Sequence, residues 1–251
     1  MAANPETNNP AGAGQFSATH WSVVVTAGRS DLPQAAAAVE TLCRAYWYPL
    51  YAYVRRQGNS PEDAEDLTQQ FFCRLIETDY LSKADRDRGK FRTFLLSSMN
   101  NFLVNEWKKA GRVKRGGGQI LVSLDADEAK ERYAGEPVGD ANPASAYDRL
   151  WAVALIEQVF SVLRSEYALA NQSHVFEALK GLIWGDTDSS YAAIGGALNL
   201  SEGAVKVAVH RLRKRFRETV RTEVSHTVAR PEEVEEELRY LIEVLSLKES
   251  A

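Results

Sequence analysis

The chain has 251 residues, 45% of them hydrophobic, and sets 30 Lys and Arg against 34 Asp and Glu for a formal net charge of -4. This balance is ordinary for a folded protein and excludes a fibrous or wholly disordered class, and no apolar run approaches the roughly 20 residues that cross a bilayer, so no membrane insertion is expected. Net acidity would argue against a nucleic-acid binder, but basic clusters here are separated from acidic ones, so local charge decides.

Residues 1–17, rich in Ala, Asn, Pro and Gly, lack the basic and apolar blocks of a signal peptide and are expected to be a disordered tail. Helix is predicted from Asp31 through the run ending Ala45-Tyr-Trp47, with Pro33 tolerated in the first turn. Pro49 is expected to interrupt or kink it, a second segment running from Leu50 to Gln57 and stopping at Gly58-Asn59. Ser60-Pro61-Glu62-Asp63 combines an N-cap, a first-turn proline and acidic residues, a strong helix start. In the helix that follows, Ala64, Leu67, Phe71, Leu75 and Ile76 form an apolar side, and Glu62, Asp63, Glu65, Asp66 and Gln69 a polar one. Cys43 and Cys73 sit in apolar helical patterns without Cys or His at metal spacing, which predicts free thiols in a reducing cytoplasm.

The pattern breaks into a charged loop from Asp79 to Gly89, and helix resumes at Phe91. There Asn100, Asn101 and Asn105 are set among Phe94, Leu95, Phe102, Leu103 and Trp107, ahead of the basic tract Lys108, Lys109, Arg112, Lys114 and Arg115. Amides and aromatics beside positive charge suit unstacked bases, although core packing accounts for the aromatics as well. Gly116-Gly-Gly then breaks the chain, and residues 116–146, polar, acidic and dotted with Gly and Pro, are predicted to be a linker. Helices return at Tyr147 to Tyr167, with Trp151, Leu155, Val159 and Leu163 on one face, and at Ser173 to Trp184. Only Ile120 to Leu124 alternates like a strand, and it is short. The expected fold is all-α, with helical domains at residues 18–115 and 147–224 joined by a flexible linker.

Tyr191 to Arg217 has the shape of a helix-turn-helix. Ile194 and Leu198 lie four apart on a first short helix, Gly195 and Gly196 permit close approach of a second, Asn199 tolerates the left-handed turn, and Ser201 caps a helix beginning at Glu202. On that helix Val205, Val209, Leu212 and Phe216 form the buried stripe, while Lys206, His210, Arg211, Arg213, Lys214, Arg215, Arg217 and Arg221 are opposed only by Glu218. The first turns of such a helix enter the major groove, which puts Lys206, Val207, His210 and Arg211 near base edges and leaves Arg213, Lys214 and Arg217 for the backbone. A solvated basic helix capping a bundle is the plainer alternative. Residues 225–251 add an acidic extension, a helix from Glu232 to Leu247 with Val234, Leu238, Leu241, Ile242 and Leu245 as its stripe. Two roles fit: it packs on the preceding bundle, or Glu232, Glu233, Glu235, Glu236 and Glu237 cover the basic helix and restrain it. His20, His174, His210 and His226 are scattered, and neither a phosphate loop nor a nucleophile beside a base is present, so no enzyme, cofactor or metal is expected.

In this order the motifs resemble a known family. Asp63-Ala-Glu-Asp-Leu-Thr-Gln-Gln-Phe-Phe-Cys-Arg-Leu75 is similar to the hallmark of domain 2 in sigma factors of RNA polymerase, of the sigma-70 family and extracytoplasmic-function (ECF) type. Arg88-Gly-Lys-Phe-Arg-Thr-Phe-Leu-Leu-Ser-Ser-Met-Asn-Asn-Phe-Leu-Val-Asn-Glu-Trp107 resembles the promoter-melting segment that follows, and Tyr191 to Arg217 the domain 4 that reads the minus-35 element. The resemblance implies a sigma factor that binds core RNA polymerase and directs initiation at promoter DNA, with an anti-sigma protein or another regulator as a further partner. It gives Asp63, Glu65, Asp66, Gln69, Gln70 and Arg74 to the polymerase interface, and Asn100, Asn101, Asn105, Lys108, Lys109 and Arg112 to the minus-10 strand. It also makes the loop Asp79 to Lys90 the pocket for a flipped base. Ala193, Asn199 and Ala208 depart from residues common in the family, and the acidic extension lies beyond its two-domain pattern. A helix-turn-helix regulator that is not a polymerase subunit is the alternative.

Overall fold

The structure, a computed structural model, describes residues 20–29, 33–78, 80–110, 130, 133, 142–185 and 191–246. Among these there are nine α-helices and no strand. The first half contains α1 (Trp21–Ala27), α2 (Ala35–Arg56), α3 (Pro61–Glu77) and α4 (Phe91–Ala110). The second contains α5 (Pro143–Leu169), α6 (Ser173–Leu179), α7 (Tyr191–Leu198), α8 (Glu202–Ser225) and α9 (Val234–Ser246). No helix among the described residues is long and apolar enough to cross a membrane.

Pro49 does not break its helix. α2 runs unbroken from Ala35 to Arg56, because every residue from Ala45 to Val54 is buried and that packing outweighs the roughly 3 kcal/mol an interior proline costs. α3 starts as its sequence demands: the Ser60 hydroxyl accepts from the Asp63 amide at 3.1 Å and donates to the Asp63 carboxylate at 2.8 Å. Its buried side is Ala64, Thr68, Phe71, Phe72 and Leu75, so the predicted stripe is turned slightly and Ile76 stays exposed. The loop before α4 holds two 3-10 turns, Tyr80–Lys83 and Arg86–Arg88. Neither Cys43 nor Cys73 is in a disulfide, and burial pushes the Cys43 thiol up to about 12, which leaves it protonated and unreactive.

Two cores form. Leu50, Tyr51, Phe72, Leu95, Met99 and Leu103 belong to the first, and Leu155, Leu163, Phe176, Leu179, Leu182, Val205 and Leu212 to the second. α5 serves both. It begins at Pro143, ahead of the expected Tyr147, and is capped by Asn142, whose side chain accepts from the Ala144 amide. Tyr147 is fully buried in the first core, its hydroxyl donating to the Arg92 carbonyl at 3.2 Å, while Trp151 belongs to the second. The linker expected over 116–146 falls outside the described residues except at 130, 133 and from 142 onward.

The two halves meet along a polar seam. Arg92, 4% exposed, lies 3.8 Å over the Trp151 ring and pairs with Asp148 at 3.3 Å and with the fully buried Glu237 of α9. Lys90 pairs with the same Glu237, and the Tyr240 hydroxyl donates to Asp148 at 2.6 Å. Burial opposes the Arg92 charge, but the Glu237 hydrogen bond and the neighbouring carboxylates outweigh it and raise its pKa. Further along, Arg86 donates twice to the Val228 carbonyl and the Trp21 amide donates to the His226 carbonyl at 3.0 Å.

The acidic extension packs into this arrangement. Val234, Leu241 and Val244 enter the second core, Glu237 turns inward to Arg92, and Glu235 meets Arg221 at the far end of α8. Ile242, assigned to the apolar stripe by periodicity, is 63% exposed. The covering role is therefore not adopted: Lys206, Val207, His210 and Arg211 are all exposed.

The glycines of the helix-turn-helix divide in the same way. A Cβ on Gly195 would lie 2.6 Å from the Leu200 carbonyl oxygen, whereas one on Gly196 would meet nothing within 4 Å. Gly195→Ala is expected to cost about 1–3 kcal/mol by overpacking against backbone, and Gly196→Ala to add about 0.5–1 kcal/mol by restricting the unfolded chain. Thermal unfolding of both variants checks the contrast, and equal shifts would show that the helices do not approach at Gly195.

Candidate nucleic-acid interface

The first surface is built by α7 and α8. Asn199 takes φ 56°, the left-handed turn that Asn tolerates, and the Leu200 amide donates to the Gly195 carbonyl at 2.8 Å. Ser201 then caps α8 by accepting from the Ala204 amide at 3.2 Å. Burial of Val205, Val209, Leu212 and Phe216 fixes the rotation of the helix, so Lys206, Val207, His210, Arg211, Lys214 and Arg217 point outward. Lys206 is steadied by Glu202 one turn back, at 2.7 Å, and by the Tyr191 ring 5.8 Å away.

The remaining basic residues of α8 are tied into the fold. Arg213, expected on the DNA backbone, forks onto the Leu182 carbonyl at 2.9 and 2.7 Å and anchors α8 to the turn Lys180–Trp184. Arg215 pairs with Glu166 of α5, an interaction that holds the Glu166 carboxyl below its ordinary range, and Arg221 pairs with Glu235. The exposed cations run along the helix, Lys206 and Arg211 on its first half and Lys214, Arg215, Arg217 and Arg221 on its second. Those nearest the first turns, where a groove-reading helix meets base edges, are Lys206 and Arg211 beside Val207 and His210.

The second surface is a cleft between α3 and α4. Phe71, Leu75 and Phe102 are its buried apolar lining, and Asn101, Asn105, Arg74 and Tyr80 are the polar and aromatic groups that border it. Tyr80 stacks on Phe94 with centroids 5.6 Å apart, and the Lys83 ammonium lies 4.8 Å from the Tyr80 ring. Asn101 and Asn105, four apart, share this face; Asn100 is exposed but outside the lining. Lys108 and Lys109 continue along exposed helix, Lys109 pairing with Glu106 at 2.6 Å, and Arg112 lies outside the described residues. Tyr80 belongs to the loop Asp79 to Lys90 expected to hold a flipped base, and Arg74, expected at the polymerase interface, also borders this cleft.

The third surface is the outer side of α3. Asp63, Asp66, Gln70 and Arg74 are exposed at spacings of three and four and so form one stripe. Glu65 and Gln69 are only partly exposed, and Glu65 pairs with Lys130 at 2.7 Å.

Comparison with known proteins bears on these surfaces. The family described as Sigma-70 region 2 matches residues 42–113, the stretch from within α2 to the end of α4 that carries the α3 stripe and the cleft. The chain is also 26% identical over 188 residues to the ECF RNA polymerase sigma factor SigE of Mycolicibacterium smegmatis, covering 75% of this chain and 63% of that protein. It thus spans less than two thirds of that relative's length. No solved structure matches. The α3 stripe and the cleft thus lie inside a Sigma-70 region 2 match, and the similarity to an ECF sigma factor runs over three quarters of the chain.

Proposed function

We propose that the protein is a sigma factor: it binds core RNA polymerase, directs it to particular promoters and leaves the chemistry of RNA synthesis to the polymerase. The observation that carries this reading is the coexistence, in one chain, of a region 2 match containing the α3–α4 cleft and of an α8 that exposes Lys206, Arg211, Lys214 and Arg217. The stripe Asp63, Asp66, Gln70 and Arg74 supplies the polymerase contact, with Glu65 and Gln69 at its margin. Asn101 and Asn105, with Tyr80 beside them, take an unstacked base of the minus-10 element, and Asn100, Lys108 and Lys109 follow the strand. Extruding a base costs a few kcal/mol, so polymerase binding has to contribute to melting.

The minus-35 element is read by Lys206, Val207, His210 and Arg211, with Lys214 and Arg217 on phosphates. Run-off transcription from genomic fragments by core polymerase with and without the protein tests the proposal. A helix-turn-helix regulator that is no polymerase subunit would confer no initiation on the core enzyme. Lys206→Ala and Arg211→Ala are expected to weaken use of a minus-35 element by about 1–3 kcal/mol where either side chain contacts a base. Unaltered promoter choice in both variants would remove α8 from the reading role.

A further inference from the structure

We propose that His20, Glu223 and His226 form a binding site for one divalent transition-metal ion of the zinc class, placed where the two halves of the protein meet. His20 precedes α1, which packs in the first core, whereas Glu223 and His226 are the last turn and the cap of α8 in the second. His20 Nε2 lies 2.9 Å from Glu223 Oε2 and 3.2 Å from His226 Nδ1, and the three ligand atoms all fall within 4.8 Å of one another. Zinc bonds nitrogen and oxygen at about 2.0–2.2 Å in tetrahedral geometry, which sets neighbouring ligand atoms roughly 3.3–3.5 Å apart. Two of the three separations are thus already close to the edges of such a tetrahedron.

The scaffold around the three groups is fixed without an ion. The Trp21 amide donates to the His226 carbonyl at 3.0 Å and the Trp21 indole N–H to the Thr227 carbonyl at 3.2 Å, so the strands of chain bearing His20 and His226 are held together by main-chain bonds. Glu223 and His226 stand three apart at a helix end, the Glu-x-x-His spacing that turns both side chains to one ligand in helical metalloproteins. Glu223 is 6% exposed, and its one partner on this side is the His20 imidazole at 2.9 Å, which is a cation only when protonated, so a metal ion would supply a positive charge to this buried carboxylate. The imidazoles lie close together, with centroids 4.1 Å apart and planes tilted by 48°, and bring one nitrogen of each ring to within 3.2 Å. Arg86, the cation nearby, is committed to the Val228 carbonyl. His226 is exposed, which gives the ion an entry path and leaves a fourth position for water. An ion bound here fastens the start of α1 to the end of α8 and favours the packed arrangement of the halves.

The test uses the full chain, stripped with chelator and titrated with Zn(II) and Co(II). One equivalent of Zn(II) is expected to bind and raise the melting temperature, and Co(II) to give the visible absorption of a tetrahedral site. His20→Ala and His226→Ala, both at solvent-reached positions, each weaken binding at least tenfold, and Glu223→Gln does so in a protein whose circular dichroism is unchanged. His174→Ala and His210→Ala leave binding intact. Absence of stoichiometric binding, retention of affinity in the His20→Ala/His226→Ala double variant, or a cobalt–thiolate charge-transfer band would overturn the site.

Discussion

Replacing Glu237 with alanine is expected to lower the unfolding free energy by about 3–5 kcal/mol, the range observed when one partner of a buried ion pair is removed. Glu237 has no exposed surface, and it pairs with Arg92, itself 4% exposed, and with Lys90. Without it the Arg92 guanidinium keeps the Trp151 ring and, as its one carboxylate, the partly exposed Asp148 at 3.3 Å, and a buried cation loses most of its charge compensation. The value belongs at the lower end of the range because Asp148 remains and Lys90 can turn to water. Glu237→Gln keeps the shape and an acceptor, so its loss is smaller; Arg92→Met with Glu237→Leu, which removes both charges of the pair, recovers part of what either single change loses. Urea denaturation followed by circular dichroism measures all three. A Glu237→Ala protein as stable as the parent would mean that α9 does not hold the two halves at this point.

Leu241→Ala is expected to cost about 2–5 kcal/mol and Ile242→Ala less than about 0.5 kcal/mol, although the two residues are adjacent and of the same size. Leu241 is 3% exposed within the second core and leaves a cavity among groups already packed at crystal density, whereas Ile242 is 63% exposed and loses little on truncation. The same denaturation midpoints decide the matter. Equal effects would show that α9 does not present the face described here, and with it the inward placement of Glu237 would fall.

Signals confined to a few neighbouring residues were legible. The start of α3 at Ser60-Pro61-Glu62-Asp63, the turn at Asn199 and the cap at Ser201 all form as their chemistry predicts, because a cap or a left-handed residue is satisfied within one turn of chain. The stripe Val205, Val209, Leu212 and Phe216 is buried as its spacing requires. The rotation of a helix about its axis was less legible: neighbouring residues differ by about 100°, and periodicity admitted Ile76 and Ile242 to apolar faces although both stay exposed while Phe72 and Glu237 are buried. Among the site residues, Lys206, Val207, His210 and Arg211 lie exposed together, while Arg213 is drawn to Leu182 by a carbonyl thirty-one positions away that no local pattern announces.

By itself, the sequence determined that the described chain is helical, where α3 and the helix-turn-helix begin, which residues of α8 face the core, and, through the order of its motifs, the family it resembles. Those properties depend on spacing, capping and propensity, which act over one or two turns. Only the tertiary structure decided that α2 continues through Pro49, that α5 belongs to both cores, that the acidic helix α9 packs at the seam through Glu237 instead of lying over α8, and that His20 and His226, scattered 206 positions apart, stand 3.2 Å from each other. Each of these is set by burial between segments distant in sequence, where the free energy of packing exceeds any local preference.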